Sequence, residues 1–479
     1  MTKRWNSLLP ALLALALMGS TGAPARGEFR VGAARVDITP PADPANPPSG
    51  KYAHERLYVR AIVLDNGTAR AALIGADQGM LFEDLWAAAS KQIAAELNCP
   101  VENIVISVTH SHSAWGPGPP PFPRPGQQGQ TGQAGGAAPG AAASQPPSPL
   151  VGQIVDAVRQ ARARLQPARI GFGTGFSYLN VNRDAIDPET RRWTQGPNLD
   201  GPSDKTVAVL KFEAPSGEPI AVYWTYAMHP VNGFLAGFTS ADFPGAACRY
   251  IEHAYNDQVV AVFAQGASGD QNPLYLRAGT NALASRSGVK ITGNVLTREK
   301  IEAPIRDGKV APGPLDPKVR DALERVMDSE GVLLGEEVIR VMTGITRLDP
   351  APRIWAAQSM VTCPGRRRLD TAREGSPGTY EDGEPVNIRL GALRIGNVAL
   401  ATVDAEIYSA IGRRLKEQSP VANTVVVTLA NGRANSGYIP NDAAFGAFTF
   451  QVLGSRLKPG RAETAIVNGL LDLLETSPQ

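Results

Sequence analysis

Short apolar runs of strand length, bounded by Gly, Pro and polar turns, alternate with longer stretches at helical spacing along most of this chain. Residues 103–109 read as a buried strand, and 150–165 as a helix that Pro167 ends. Residues 206–212 and 220–226 form a hairpin across Pro215-Ser216-Gly217. Asp316-Pro317 supplies a cap and a first-turn proline to the long helix that follows. Residues 398–403 form a strand that runs into a helix from about Ala405. No internal repeat is visible. The alternation predicts an α/β fold: a single large domain with a mixed β-sheet flanked by helices.

Three stretches stand apart from that pattern. The first 25 residues join a basic start (Lys3, Arg4) to an apolar run and a small-x-small site at Ala23-Pro24-Ala25. They read as a signal peptide, so residues 26–479 form the mature domain, exported to the periplasm or secreted. The run is too short to span a bilayer comfortably, and no transmembrane segment is expected in the mature chain. Residues 116–149 are almost entirely Gly, Pro, Gln, Ala and Ser, offer little to bury, and read as a flexible insertion. Residues 364–387 are charged, rich in Gly and Pro, and read as irregular.

Charge narrows the partners. Without Lys3 and Arg4, the 47 basic residues fall level with the 45 acidic ones, which leaves no footprint for nucleic acid or an anionic surface. A small-molecule or lipid substrate is the expected partner. Cys99, Cys248 and Cys363 are far apart and odd in number. They read as buried small hydrophobes, although an oxidising compartment would permit one disulfide.

Histidine is scarce and therefore informative: His54, His110, His112, His229 and His253. Thr109-His110-Ser111-His112-Ser113 follows a buried strand, and residues two apart in an extended segment face the same side, so both rings can enter one cleft. The plain alternative is a pair of polar residues in a surface turn. His229 also ends an apolar run, just before Pro230. Catalytic zinc needs about three protein ligands and an open position. Glu406, just past the strand 398–403, is the attractive third ligand; Asp404 competes locally but fits a helix cap better. His54 and His253 fit structural roles. Asp77 and Asp242 could orient a ligand or serve as caps, and Gly269-Asp270 makes a tight turn that aims Asn272 inward.

The same segments resemble the catalytic domain of the neutral, non-lysosomal ceramidases over nearly the whole mature length. The opening 31–41 (V-G-A-A-R-V-D-I-T-P-P) and the strand 57–64 resemble the start of that family. Thr109 to Ser113 is similar to its T-H-T-H-S, and Asn180-Val181-Asn182-Arg183 to its N-x-N-R. Met228-His229-Pro230, then Ser240-Ala241-Asp242, follow in order. Residues 263–273 (F-A-Q-G-A-S-G-D-Q-N-P) resemble its F-A-Q-x-x-x-G-D-x-S-P. Ala405-Glu406 and Ser436-Gly437-Tyr438 match its last two ligand positions.

The resemblance implies zinc (Zn2+) held by His110, His229, Glu406 and Tyr438. It also implies His112 and Arg183 at the substrate carbonyl, as proton carrier and oxyanion donor. Bound zinc brings the pKa of its water to near 7 and supplies hydroxide. The chain departs from the family at Asn272, which stands where ceramidases carry serine; asparagine is no nucleophile, but its amide can orient substrate. Ser268 lies four residues earlier, out of register. The family also adds a C-terminal β-sandwich, whereas this sequence ends at Gln479. The expected activity is zinc-dependent hydrolysis of an amide, in ceramide or a related N-acyl lipid. The alternatives are a hydrolase for a polar glycan or amino-sugar substrate and a non-catalytic zinc-containing binding protein.

Overall fold

The computed structural model describes residues 27–42, 44, 50–114, 148–276, 281–282, 284–285, 315–371 and 374–478. The segment read as a signal peptide and residues 116–147 of the Gly/Pro-rich stretch lie outside the described residues.

The chain is mixed α/β, and its strands are shared among several sheets. Three of them repeat one plan. In the first, Ile104–Val108 lies parallel to Arg70–Ala76, and antiparallel neighbours continue through Tyr58–Asp65 and Arg30–Asp37 to Gln166–Pro167. In the second, Val260–Gln265 lies parallel to Pro219–Tyr226, with Thr206–Glu213, Arg169–Phe176 and Leu348–Asp349 beyond. In the third, Asn423–Thr428 lies parallel to Val398–Val403, with Tyr380–Ile395 and Ile354–Arg368 beyond.

Parallel neighbours need a crossover. The three crossovers carry the helices Glu83–Leu97, Asp242–Ala254 and Ser409–Gln418. Parallel pairing also puts the carboxyl ends of both strands at one edge, where ligands collect in α/β sheets. His110 lies just past Val108, His229 past Tyr226 and Glu406 past Val403.

Burial explains why these strands are nearly continuous apolar runs: they are covered on both faces. Inner-face residues from all three sheets, among them Leu73, Tyr223, Val262 and Leu400, form one shared core. Outside, the first sheet is covered by Glu83–Leu97 and Pro149–Ala163 through Ile93 and Ile154. The second is covered by Asp242–Ala254 and the long helix Pro317–Gly344 through Phe243 and Leu334. The third is covered by Ser409–Gln418 and Ala462–Glu475 through Ile411 and Ile466.

The predicted hairpin is present; Ala214 N–H bonds Glu218 O at 2.8 Å, and Gly217 supplies a φ of 97° that the turn requires. Other boundaries differ. Ser148 caps the helix Pro149–Ala163, so the last residue assigned to the insertion belongs to a helix. The stretch 364–387 is mostly strand rather than irregular: Ile354–Arg368 and Tyr380–Ile395 pair along their length. A register shift between Cys363 and Gly365 absorbs Pro364, which has no N–H to donate. After Val403 the chain first forms the two-residue strand Glu406–Ile407, and the helix starts only at Ser409. Asp404 is therefore no helix cap; its carboxylate accepts the Arg389 N–H at 3.0 Å. All three cysteines are free.

Asp316 does cap the long helix, accepting the Lys318 N–H at 2.8 Å ahead of Pro317. Asp316→Ala is expected to lower stability by about 0.5–2 kcal/mol. Urea unfolding reads this as a lower midpoint at unchanged slope; an unmoved midpoint would show that other contacts hold the helix end.

Candidate metal centre

His110 follows its strand in the left-handed region, at φ 64°. That uncommon conformation for a side-chain-bearing residue turns the ring back into the protein. Its N–H bonds Gln78 O at 2.9 Å, and its Nδ1 bonds Gly79 O at 2.7 Å. His229 is held alike: N–H to Gln271 O at 3.0 Å, and Nδ1 to Ser268 O at 2.8 Å and Gln271 O at 3.1 Å. A carbonyl only accepts, so Nδ1 carries the hydrogen in both rings and each Nε2 presents a lone pair. Burial, with Arg183 second, pushes the His229 imidazole down to about 4, so the ring is neutral at pH 7.

Glu406 sits on the short strand paired in parallel with Tyr438–Ile439. Its Oε2 lies 3.3 Å from Nε2 of His110 and 3.3 Å from Nε2 of His229. Two imidazole lone pairs aimed at a carboxylate repel unless a proton or cation lies among them. Bonds of about 2.0–2.1 Å to a tetrahedral ion separate the donor atoms by roughly 3.3–3.4 Å, which is the spacing found.

His112 completes the group. Its N–H bonds Pro230 O at 3.1 Å, and its Nε2 lies 3.3 Å from that of His110. The ligand atoms of His110, His112 and His229 all lie within 4.8 Å of one another and could hold a metal ion. The Phe234 ring packs edge-on against His112, with centroids 5.4 Å apart.

Arg183 is almost fully buried beside this cluster, on the strand Asn180–Ile186 that pairs with Gln271–Pro273. Its Nη1 donates to Asn272 Oδ1 at 3.2 Å and its Nη2 to Gly269 O at 2.5 Å. The guanidinium carbon lies 5.2 Å from the Tyr438 ring centre and 5.0 Å from that of Phe450. Tyr438 is pushed up to about 12, by burial first and by the Glu406 carboxylate, against the pull of Arg183. His110, His112, His229, Glu406, Tyr438, Arg183 and Asn272 thus meet at one place.

The loop carrying Asn272 is built by buried anchors. Gln271 N–H closes a turn on Ser268 O at 2.8 Å, and Asp270 accepts from Ser409 N–H at 2.7 Å and from Asn182 Nδ2 at 2.9 Å. A Cβ on Gly269 would stand 2.8 Å from Ile407 O, so only glycine lets this loop pack on the strand that bears Glu406. Ser268 Oγ is buried and accepts from Gln265 Nε2 at 2.6 Å.

Of the two readings open for Asp77 and Asp242, orienting a ligand or serving as caps, the first does not hold for the histidines. Asp77 accepts from Tyr58 N–H and Arg60 Nη1, and Asp242 accepts from Gly233 N–H and Asn232 Nδ2. Backbone carbonyls do that work instead, and a carbonyl leaves no mark in a sequence. Phe450, the second ring against Arg183, has no distinguishing mark in the sequence, because an aromatic in the largely apolar stretch 447–453 looks like any core anchor. His54 forms only an isolated bridge with Thr239, and His253 is exposed on its helix.

Comparison with known proteins places this geometry. The family described as neutral/alkaline non-lysosomal ceramidase, N-terminal, matches residues 29–287. The neutral ceramidase of Pseudomonas aeruginosa is 26% identical over 308 residues, which cover 57% of this chain and 42% of that protein. A solved ceramidase complexed with C2 superposes with a TM-score of 0.64 at 17% identity, covering 93% of this chain and 75% of that one. The crystal structure of the Pseudomonas aeruginosa neutral ceramidase gives 0.63, at 17% identity and 93% and 74% coverage. These two structural likenesses bear on the fold alone.

Proposed function

Since the chain belongs to the neutral/alkaline non-lysosomal ceramidase family, we propose that it is an exported zinc-dependent hydrolase that cleaves the amide of a ceramide-like N-acyl lipid with water. The observation that carries this reading is the convergence of His110 Nε2, His229 Nε2 and Glu406 Oε2 at spacings of 3.3 Å. Two imidazoles and a carboxylate are a donor set of catalytic zinc sites, with Tyr438 beside it as the fourth ligand the family implies. Zinc bound there supplies a water with a pKa near 7 and a Lewis acid for the carbonyl.

The chain's own groups do the rest. Glu406 completes three donors without His112, so the His112 Nε2 can take a proton from the attacking water and return it to the leaving amine. Arg183 and the Tyr438 hydroxyl stand ready to donate to the developing oxyanion. Asn272 commits its Oδ1 to Arg183, so its Nδ2 hydrogens are what it offers a substrate. No helix among the described residues is long and apolar enough to cross a membrane.

Metal analysis of purified protein and a substrate panel test the proposal together. About one zinc per chain is expected, with fatty acid released from detergent-dispersed ceramide. Turnover confined to soluble N-acyl amino sugars would assign a polar substrate instead, and zinc with no turnover at all would leave a binding protein.

A further inference from the structure

Behind the His112 side of the site, two carboxylates are buried with no cationic partner among the described residues. Asp242 and Glu330 are 0% and 1% exposed, and between them lies Asn232, also 0% exposed. Its Nδ2 donates to Asp242 Oδ1 at 3.0 Å and to Glu330 Oε2 at 2.7 Å. Asp242 further accepts the N–H groups of Gly233 and Phe243, each at 2.8 Å. Three N–H donors identify Asp242 as the ionised member. Glu330 has one donor only, and its Oε1 has no partner; nor has Asn232 Oδ1. An orphaned buried acceptor costs about 1–3 kcal/mol, and an unpaired buried charge costs more.

The two orphans sit on groups already joined by one hydrogen bond, and a single proton satisfies both. We propose that Glu330 is a positioning residue held as the neutral acid, its Oε1–H donating to Asn232 Oδ1. Acid and amide then bond in both directions, and the long helix Pro317–Gly344 clamps the loop that follows His229. That loop places Pro230 O on the His112 N–H and Phe234 against the His112 ring. Burial, and then the neighbouring Asp242 charge, push the Glu330 carboxyl well above its ordinary range, against the single Asn232 bond. The clamp's effect on turnover rests on the function proposed above; the protonation of Glu330 does not.

The test compares full-length wild type, Glu330→Gln and Glu330→Leu. Glutamine reproduces the neutral pair, donating to Asn232 Oδ1 and accepting from Nδ2, whereas leucine leaves both atoms of Asn232 unanswered. Infrared difference spectra of wild type against Glu330→Gln at neutral pH should show a protonated-carboxyl stretch, shifted in deuterium oxide, that the variant lacks. Glu330→Gln should keep the wild-type melting temperature and turn over within about twofold of wild type. Glu330→Leu should melt lower and lose roughly 10- to 100-fold in kcat at unchanged zinc content, the scale of a misplaced catalytic group. Absence of the carboxyl band, or Glu330→Gln as damaged as Glu330→Leu, would overturn the proposal. So would calcium or magnesium raising the melting temperature of wild type alone, which would put a cation where we place a proton. Should wild type prove inactive on every substrate, the infrared band and the rescue of melting by glutamine still decide.

Discussion

His229→Ala and His110→Ala are each expected to empty the metal centre, while His112→Ala leaves it filled. Each of the first two removes an Nε2 that stands 3.3 Å from Glu406 Oε2. Losing only an outer hydrogen-bond partner of a metal ligand costs about 10–100-fold in affinity, so losing the ligand should cost more. Hydrolysis should fall to background in both. The trio His110, His112 and His229 is compact enough to bind an ion by itself, and His112→Ala separates the two ligand sets. Zinc retained there with activity reduced makes His112 the proton carrier, and zinc lost makes it a ligand. Full occupancy in both His110→Ala and His229→Ala, by elemental analysis after dialysis, would remove the assignment altogether.

The second large effect concerns the position where the family carries serine. Attack by water rather than by a side chain requires only that Asn272 orient the substrate. Asn272→Ala should then slow turnover about 10- to 1000-fold, the range for one lost oxyanion-type donor. His112→Ala should slow it about 100-fold or more, as for a general acid and base. No covalent acyl-enzyme should accumulate. Ser268 is the only hydroxyl in the loop, and its Oγ is buried against Gln265 rather than facing a histidine. Mass spectrometry of quenched reactions is decisive: an acylated peptide containing Ser268 would restore a serine nucleophile. Unchanged activity in Asn272→Ala would show that the asparagine only fills space.

Much of this site was legible in the sequence because its side chains follow apolar strands whose ends are easy to see. His110, His229 and Glu406 were each found that way, and the fold does bring them together. What stayed hidden was whatever the backbone supplies. Nothing in the residue types of Gln78-Gly79 or Ser268 announces that their carbonyls would fix two imidazole tautomers. Composition also misled where pairing overrode it. Residues 364–387 look like a loop by their Gly, Pro and charge, yet a long antiparallel ladder holds most of them as strand and accommodates Pro364 in a bulge. The division into several sheets was beyond reach for another reason. Strand periodicity says which face is buried, but not against which partner.

The three parallel strand pairs have a consequence for how the protein matures. Each contributes its own portion of the donor set, from positions 110, 229 and 406, and the family match itself ends at 287, well before Glu406. Nascent chain lacking its last quarter lacks Glu406 and so cannot assemble the proposed donor set, however well its first two sheets have formed. Metal capture by that set would be a late event that certifies completed folding. An ion that binds only the finished chain also stabilises it, by about 4.1 kcal/mol at a free concentration a thousandfold above its dissociation constant. With zinc as the proposed ion, a compartment poor in it would leave the same chain both idle and easier to degrade, so supply of the ion would set how much protein survives as well as how much works.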